Sequence, residues 1–134
     1  MIHTQQTIEE ITIQLLQGST LAIEGGFYHF GERPLNSQEE DCVVGLLAGT
    51  SEQIQEGYLN VHIYVPRLYG SDGVRYADRE RCEALEQAVA NISTELNTGG
   101  SVYYSTFGIV KTLIDDVTKE TFVSAQLKFK FLTN

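Results

Sequence analysis

The 134-residue chain reads as one α+β domain spanning residues 1–134: a mostly antiparallel sheet with two helices packed on one face, in the order αβββ(β)αββ. Three observations predict that class. Two stretches space their apolar residues by three or four, at 8–16 and 82–96. Two others, 58–65 and 123–131, alternate apolar with polar residues one by one. The strand-like runs are grouped rather than interleaved with helices, which favours an antiparallel sheet over a parallel one.

In order, Thr7 and Glu10 fit a capping box, with Thr4 as an earlier alternative cap. Ile8, Ile11, Leu15 and Leu16 form the apolar stripe of the first helix, which Gly18 ends. Residues 21–23 form a short apolar strand, Gly25 and Gly26 a kink, and 27–30 an aromatic extended run. A polar loop follows, in which Pro34 pushes Arg33 away from helical backbone. Residues 41–48 are a β-prone run, turned by Gly49, Thr50 and Ser51. In the strand 58–65, Leu59, Val61, Ile63 and Val65 face the core, while Tyr58, Asn60, His62 and Tyr64 face away. After Pro66, residues 67–73 read as a flexible loop. The second helix runs over 77–97, with Cys82, Leu85, Val89, Ile92 and Leu96 as its stripe and Gly99 and Gly100 as its stop. Asp78 suits its N-terminal dipole. Two strands, 102–114 and 121–131, close the chain around a polar hairpin loop at 115–120.

The composition narrows the function classes. The net charge is −9, and residues 1–60 hold nine acids against one base, Arg33. Phosphate binding requires clustered Lys and Arg, and no basic run occurs, so specific nucleic-acid binding is not expected. The acidic half reads first as a solubilising face, and more sharply as a surface that DNA passes without adhering or one that meets a basic partner. No signal-like segment opens the chain, and no stretch is apolar enough to cross a membrane, which points to a cytoplasmic location. Cys42 and Cys82 lie in apolar patterns without a CxxC or a histidine pair, as reduced packing residues do.

No catalytic, cofactor or metal constellation emerges, and no enzyme activity is expected. His3, His29 and His62 are far apart; His62 reads as a surface or interface residue and His29 as half-buried among aromatics. Glu39, Glu40 and Asp41 diverge as neighbours do and lack the alternating pattern of a calcium loop. Asp115 and Asp116 are turn residues. Phosphate-cradling glycine motifs and nucleophile elbows are missing. Seven tyrosines and no tryptophan stand out, and Tyr58 and Tyr64 on the outer side of their strand suit an interface or a covering layer.

Three stretches carry a resemblance. Residues 27–44 contain Arg33-Pro34-Leu35-Asn36-Ser37-Gln38-Glu39-Glu40-Asp41 after an aromatic run, 57–66 end in Tyr64-Val65-Pro66, and 120–131 form the closing strand. Together they resemble small phage and prophage structural proteins, nearest to tail terminator or neck (tail completion, head–tail joining) proteins. The resemblance implies an αβββαββ subunit of a ring, usually a hexamer, that contacts the tail tube and head connector inside an assembled virion, without cofactor or catalysis. On that reading the residues to examine are Arg33, Pro34, Asn36, Ser37, Glu40, Asp41, Tyr58, His62 and Tyr64, at the interface or in fixing a loop. Arg33 is expected to bond Glu40 or Asp41 within its own subunit, the other option being a neighbour. The alternative is a small-molecule binding module or enzyme with His62, Tyr64 and Arg67 converging in a cleft between sheet and helices.

Overall fold

A computed structural model describes residues 3–50, 54–97 and 102–132. The expected stop at Gly99 and Gly100, and Ser51 of the expected turn, lie outside the described residues.

Helix α1 (Gln5–Gln17) starts a turn earlier than the capping box predicts, with Thr4 as its N-cap residue. The physical reason lies in Glu10, whose carboxylate turns to His29 instead of back to Thr7. The buried stripe also differs from the expected one: Ile8, Ile13 and Leu16 are buried with Glu9 and Thr12, whereas Ile11 and Leu15 are only partly covered. Two polar side chains can sit there because each has partners. The Thr12 hydroxyl bonds the Ile8 carbonyl and lies 2.9 Å from the Tyr104 hydroxyl.

Residues 21–23 form no strand, contrary to expectation. Side chains from the second helical region hold this stretch and the residue before it: Arg81 donates to the Ala22 carbonyl at 2.9 Å, and Glu95 accepts from the Thr20 amide and hydroxyl. The chain then enters β1 (Phe27–His29), β2 (Cys42–Gly49) and β3 (Ile54–Val65). A small ribbon, β4 (Leu68–Tyr69) with β5 (Arg75–Tyr76), forms where a plain loop was expected. Gly73 at φ 81° makes its turn, and Asp72 accepts from the Val74 amide and the Tyr76 hydroxyl. The expected single second helix is two, α2 (Arg79–Ala90) and α3 (Ile92–Leu96). Side chains take the carbonyls at the joint: Thr106 donates to Ala90, and Thr94 to Asn91. The apolar stripe continues across the break, with Cys82, Leu85, Val89, Ile92 and Leu96 all buried. Asp78 caps α2 by accepting from the Arg81 amide.

β6 (Val102–Ile114) and β7 (Thr121–Leu132) complete a five-stranded sheet of order β1-β2-β3-β7-β6. Among the described residues only the β1–β2 pair is parallel, because the 30–41 loop returns the chain to start β2 beside the start of β1. The α+β class, the mostly antiparallel sheet and its helical cover therefore stand as read. Leu59, Val61, Ile63, Val65, Val123, Ala125, Leu127, Phe129 and Phe131 all point into one core with the three helices. The alternate residues of β3 and β7 make up the opposite face, on which no helix packs among the described residues.

Edge strand β6 is guarded in two ways. Asn97 pairs with Tyr104 as a short surrogate strand, its amide side chain meeting the Tyr104 carbonyl at 2.8 Å and amide at 2.7 Å. Further along, the register breaks between Phe107 and Lys111, where Gly108 takes φ 74°.

Candidate functional site

The loop joining β1 to β2 must carry the chain from one strand to its parallel neighbour, and its sequence supplies the turn chemistry. Ser37 donates its amide to the Pro34 carbonyl, and Asn36 takes the left-handed backbone, φ 60°, that asparagine tolerates better than most residues. Arg33 then organises the loop. Its Nε donates to Asp41 at 2.9 Å, Nη1 to Glu120 at 2.9 Å and Nη2 to the Ser37 carbonyl at 3.3 Å. Its guanidinium carbon lies 4.0 Å from the Tyr64 ring centroid, a cation–π contact. Of the two expected acids, Arg33 thus takes Asp41, and the Glu120 contact ties the loop to the β6–β7 turn.

Asp41 is buried at the start of β2, with its two carboxylate oxygens receiving the Gly26 amide, the Ser37 hydroxyl and Arg33. Burial would raise its pKa, but donation from Ser37, Gly26 and Arg33 outweighs it and holds the carboxyl below its ordinary value. Glu40, also buried, belongs to a different pair: Arg81 of α2 grips it with Nε at 2.8 Å and Nη2 at 2.6 Å. Adjacent acids on an extended backbone point to opposite sides, so Asp41 serves the loop and Glu40 the helix. Gly25 fits between them because a side chain there would run into the Asp41 carboxylate and the Glu40 carbonyl.

A second charged cluster lies on the helical side. Glu9 is fully buried in α1 and accepts from the Leu46 amide at 2.9 Å and from Gln5. His29 bridges Glu9 through Nδ1 and Glu10 through Nε2, each at 3.0 Å. Both ring nitrogens can donate only in the imidazolium form. Burial lowers the His29 pKa, yet the bonds to Glu10 and Glu9 outweigh it and leave it raised. His29 was expected among aromatics; instead it joins β1 to α1.

Outside the helical layer, Tyr58 packs its ring edgewise on Phe107 at 5.0 Å between centroids. His62 and Tyr64 flank Phe122 at 4.7 and 5.5 Å, and burial lowers the His62 pKa. An open cleft of about 450 Å³ lies between the 34–39 stretch, the end of β3 and the β6–β7 turn, with Arg33, Tyr64, Arg67 and Lys119 in its walls. Tyr64 and Arg67 line this cleft, but no helix residue does, so it is not the cleft between sheet and helices that the small-molecule reading expects; His62 lies against Phe122.

No family model matches this chain, and no curated protein matches it.

The geometry is that of braced loops. The Arg33 nitrogens and the Asp41 carboxylate are engaged with one another and with neighbouring backbone. The Cys42 thiol is pushed up to about 12 by burial, helped by the charge of Asp41, so it is not a thiolate nucleophile near neutrality. Among the described residues, no three His, Cys, Asp or Glu side chains are placed to hold a metal ion. Sequence reasoning missed Arg81, Glu120, Glu9 and His29, each of which bonds a residue at least 19 positions away. The one available signal was composition, since so few bases among so many acids must be shared.

Proposed function

We propose that this chain is a phage or prophage virion structural protein, of tail terminator or neck type, that assembles as a ring at the tail–head junction and performs no catalysis. The observation that carries the reading is the distribution of exposed apolar side chains over several separate projections. Leu35 is 94% exposed on the 30–41 loop, Ile109 86% on edge strand β6 and Val117 90% on the β6–β7 turn. The β4–β5 ribbon adds Leu68, Val74 and Tyr76. A ring subunit has a neighbour on each side and a tube or connector above or below, so it needs apolar contact surface in several directions.

The small-molecule alternative has the open cleft beside Tyr64 and Arg67 in its favour. Against it, Arg33, one of two guanidinium groups in that wall, is already bound by Asp41 and Glu120. Native mass spectrometry of the chain, alone and with tail tubes, tests the proposal. A hexamer, or a monomer that becomes hexameric on tubes, is expected; a monomer that ignores tubes overturns it.

A further inference from the structure

The open face of the main sheet differs in chemistry from the layer behind it. Three lysines stand exposed on that face, Lys111 on β6 and Lys128 and Lys130 on β7. Among the described residues one acid accompanies them, Glu56, which lies 3.4 Å from Lys130. Between them lie aromatic rings packed in two groups, Tyr58 with Phe107 and Phe122 with His62 and Tyr64. Phe107 is 50% exposed at the centre of its strand. The helical side has the opposite sign: Glu80, Glu83 and Glu95 are exposed there together with Glu10, which His29 bridges, and the bases beside them are Arg79 and Arg81, the latter held by Glu40. One side of this two-layered subunit is therefore basic and aromatic, and the other is acidic, in a chain whose net charge is −9.

We infer that the open sheet face, centred on Phe107, Lys128 and Lys130, docks the acidic helical layer of a second copy of this chain. This rests on the ring reading above and specifies the contact that reading requires. A contact between two different faces is heterologous, so each copy keeps an unused face of either kind. Repetition then closes a ring when the rotation per step allows. Charge complementarity selects the partner and its orientation, while the aromatic groups supply the apolar area that closes on contact.

Lysines among aromatic rings also suit a single-stranded nucleic acid. Two features favour a protein copy. The chain as a whole repels a polyanion, and the rings pack on one another instead of standing apart as separate stacking platforms.

Two full-length variants test the contact, Lys128→Glu/Lys130→Glu on the sheet and Glu80→Lys/Glu83→Lys on α2. All four positions are exposed, and circular dichroism checks that the variants fold. Self-association is read by native mass spectrometry and sedimentation, on tail tubes if the free chain is monomeric, and binding to a fluorescent oligothymidylate is read alongside. Each variant alone should associate about a hundredfold more weakly than wild type, and an equimolar mixture of the two should regain mixed oligomers of wild-type size. Oligomers unchanged in both variants would overturn this docking surface and leave the ring reading standing. Weakened variants that fail to complement each other would overturn the sheet-on-helix pairing. Wild type that stays monomeric even on tubes overturns the ring reading itself. Monomeric wild type that binds the oligonucleotide through Lys128 and Lys130 assigns the face to nucleic acid instead.

Discussion

Asp41 shows how one buried charge can fix a loop. Three donors from three places reach it, so its charge stabilises the 30–41 segment as long as it remains ionised. Replacing Asp41 with Asn leaves Arg33 half-buried with Glu120 as its remaining carboxylate, and should lower the unfolding free energy in urea by about 3 kcal/mol. The folded pKa lies below the unfolded value, so the Asp41 contribution is complete above about pH 4 and is lost as pH falls through the folded value. His29 has the opposite sign. Its folded pKa is raised, so the bridge to Glu9 and Glu10 stabilises fully below about pH 6.5 and fades as pH rises through the folded value. The melting temperature of wild type minus that of His29→Gln should therefore be largest in acid and shrink towards alkaline pH. A difference that is flat with pH would show that the imidazolium bridge contributes nothing.

At the scale of elements, Gly49 of β2 faces Gly57 of β3 with no side chain on either. A Cβ on Gly57 would strike the Ala48 carbonyl, the Gly49 Cα at 2.6 Å and the Phe129 ring at 2.7 Å. Gly57→Ala should consequently cost about 2 kcal/mol in chemical denaturation, the penalty of forcing atoms into a packed core. Gly31, with open space about its Cβ position, is no such contact. The strands were legible here because alternation is local: Leu59 to Val65 and Val123 to Phe131 face the core as their spacing predicts. The break at Asn91 was not, since the stripe of α2 continues through α3 and only Thr106, from a distant strand, competes for the Ala90 carbonyl. Residues 21–23 misled for the same reason, having apolar content but Arg81 on the Ala22 carbonyl in place of a ladder partner, with Glu95 holding Thr20 just before them.

For the whole molecule, the acidic imbalance of residues 1–60 is less of a surface property than counting suggests. Glu9, Glu40 and Asp41 are buried and bonded to His29, Arg81 and Arg33. The two layers differ in exposed charge, mainly basic on the open sheet and acidic on the helices, while Glu24, Glu32, Glu39, Asp72 and Asp116 are exposed on the loops. Association through those layers joins opposite charges near the surface, so raising salt from roughly 0.05 to 0.5 M should dissociate the proposed oligomer progressively. Oligomers indifferent to salt would place the contact on the apolar projections, Leu35, Ile109 and Val117, in its place.

The α+β class was present in the sequence from the start, because periodicity of two or of three to four is written by neighbouring residues and needs no tertiary context. So were the core strands, the acidic start of the second helical region at Asp78 and the polar hairpin loop at 115–120. The tertiary structure alone decided which charges meet. Whether Arg33 takes Glu40 or Asp41, that Glu120 closes the other side of its guanidinium, and that His29 rather than water faces Glu9 all depend on distant segments brought together by the β1–β2 and β3–β7 pairings. Ion pairs are contacts in space, and nothing in the spacing of their residues along the chain records them.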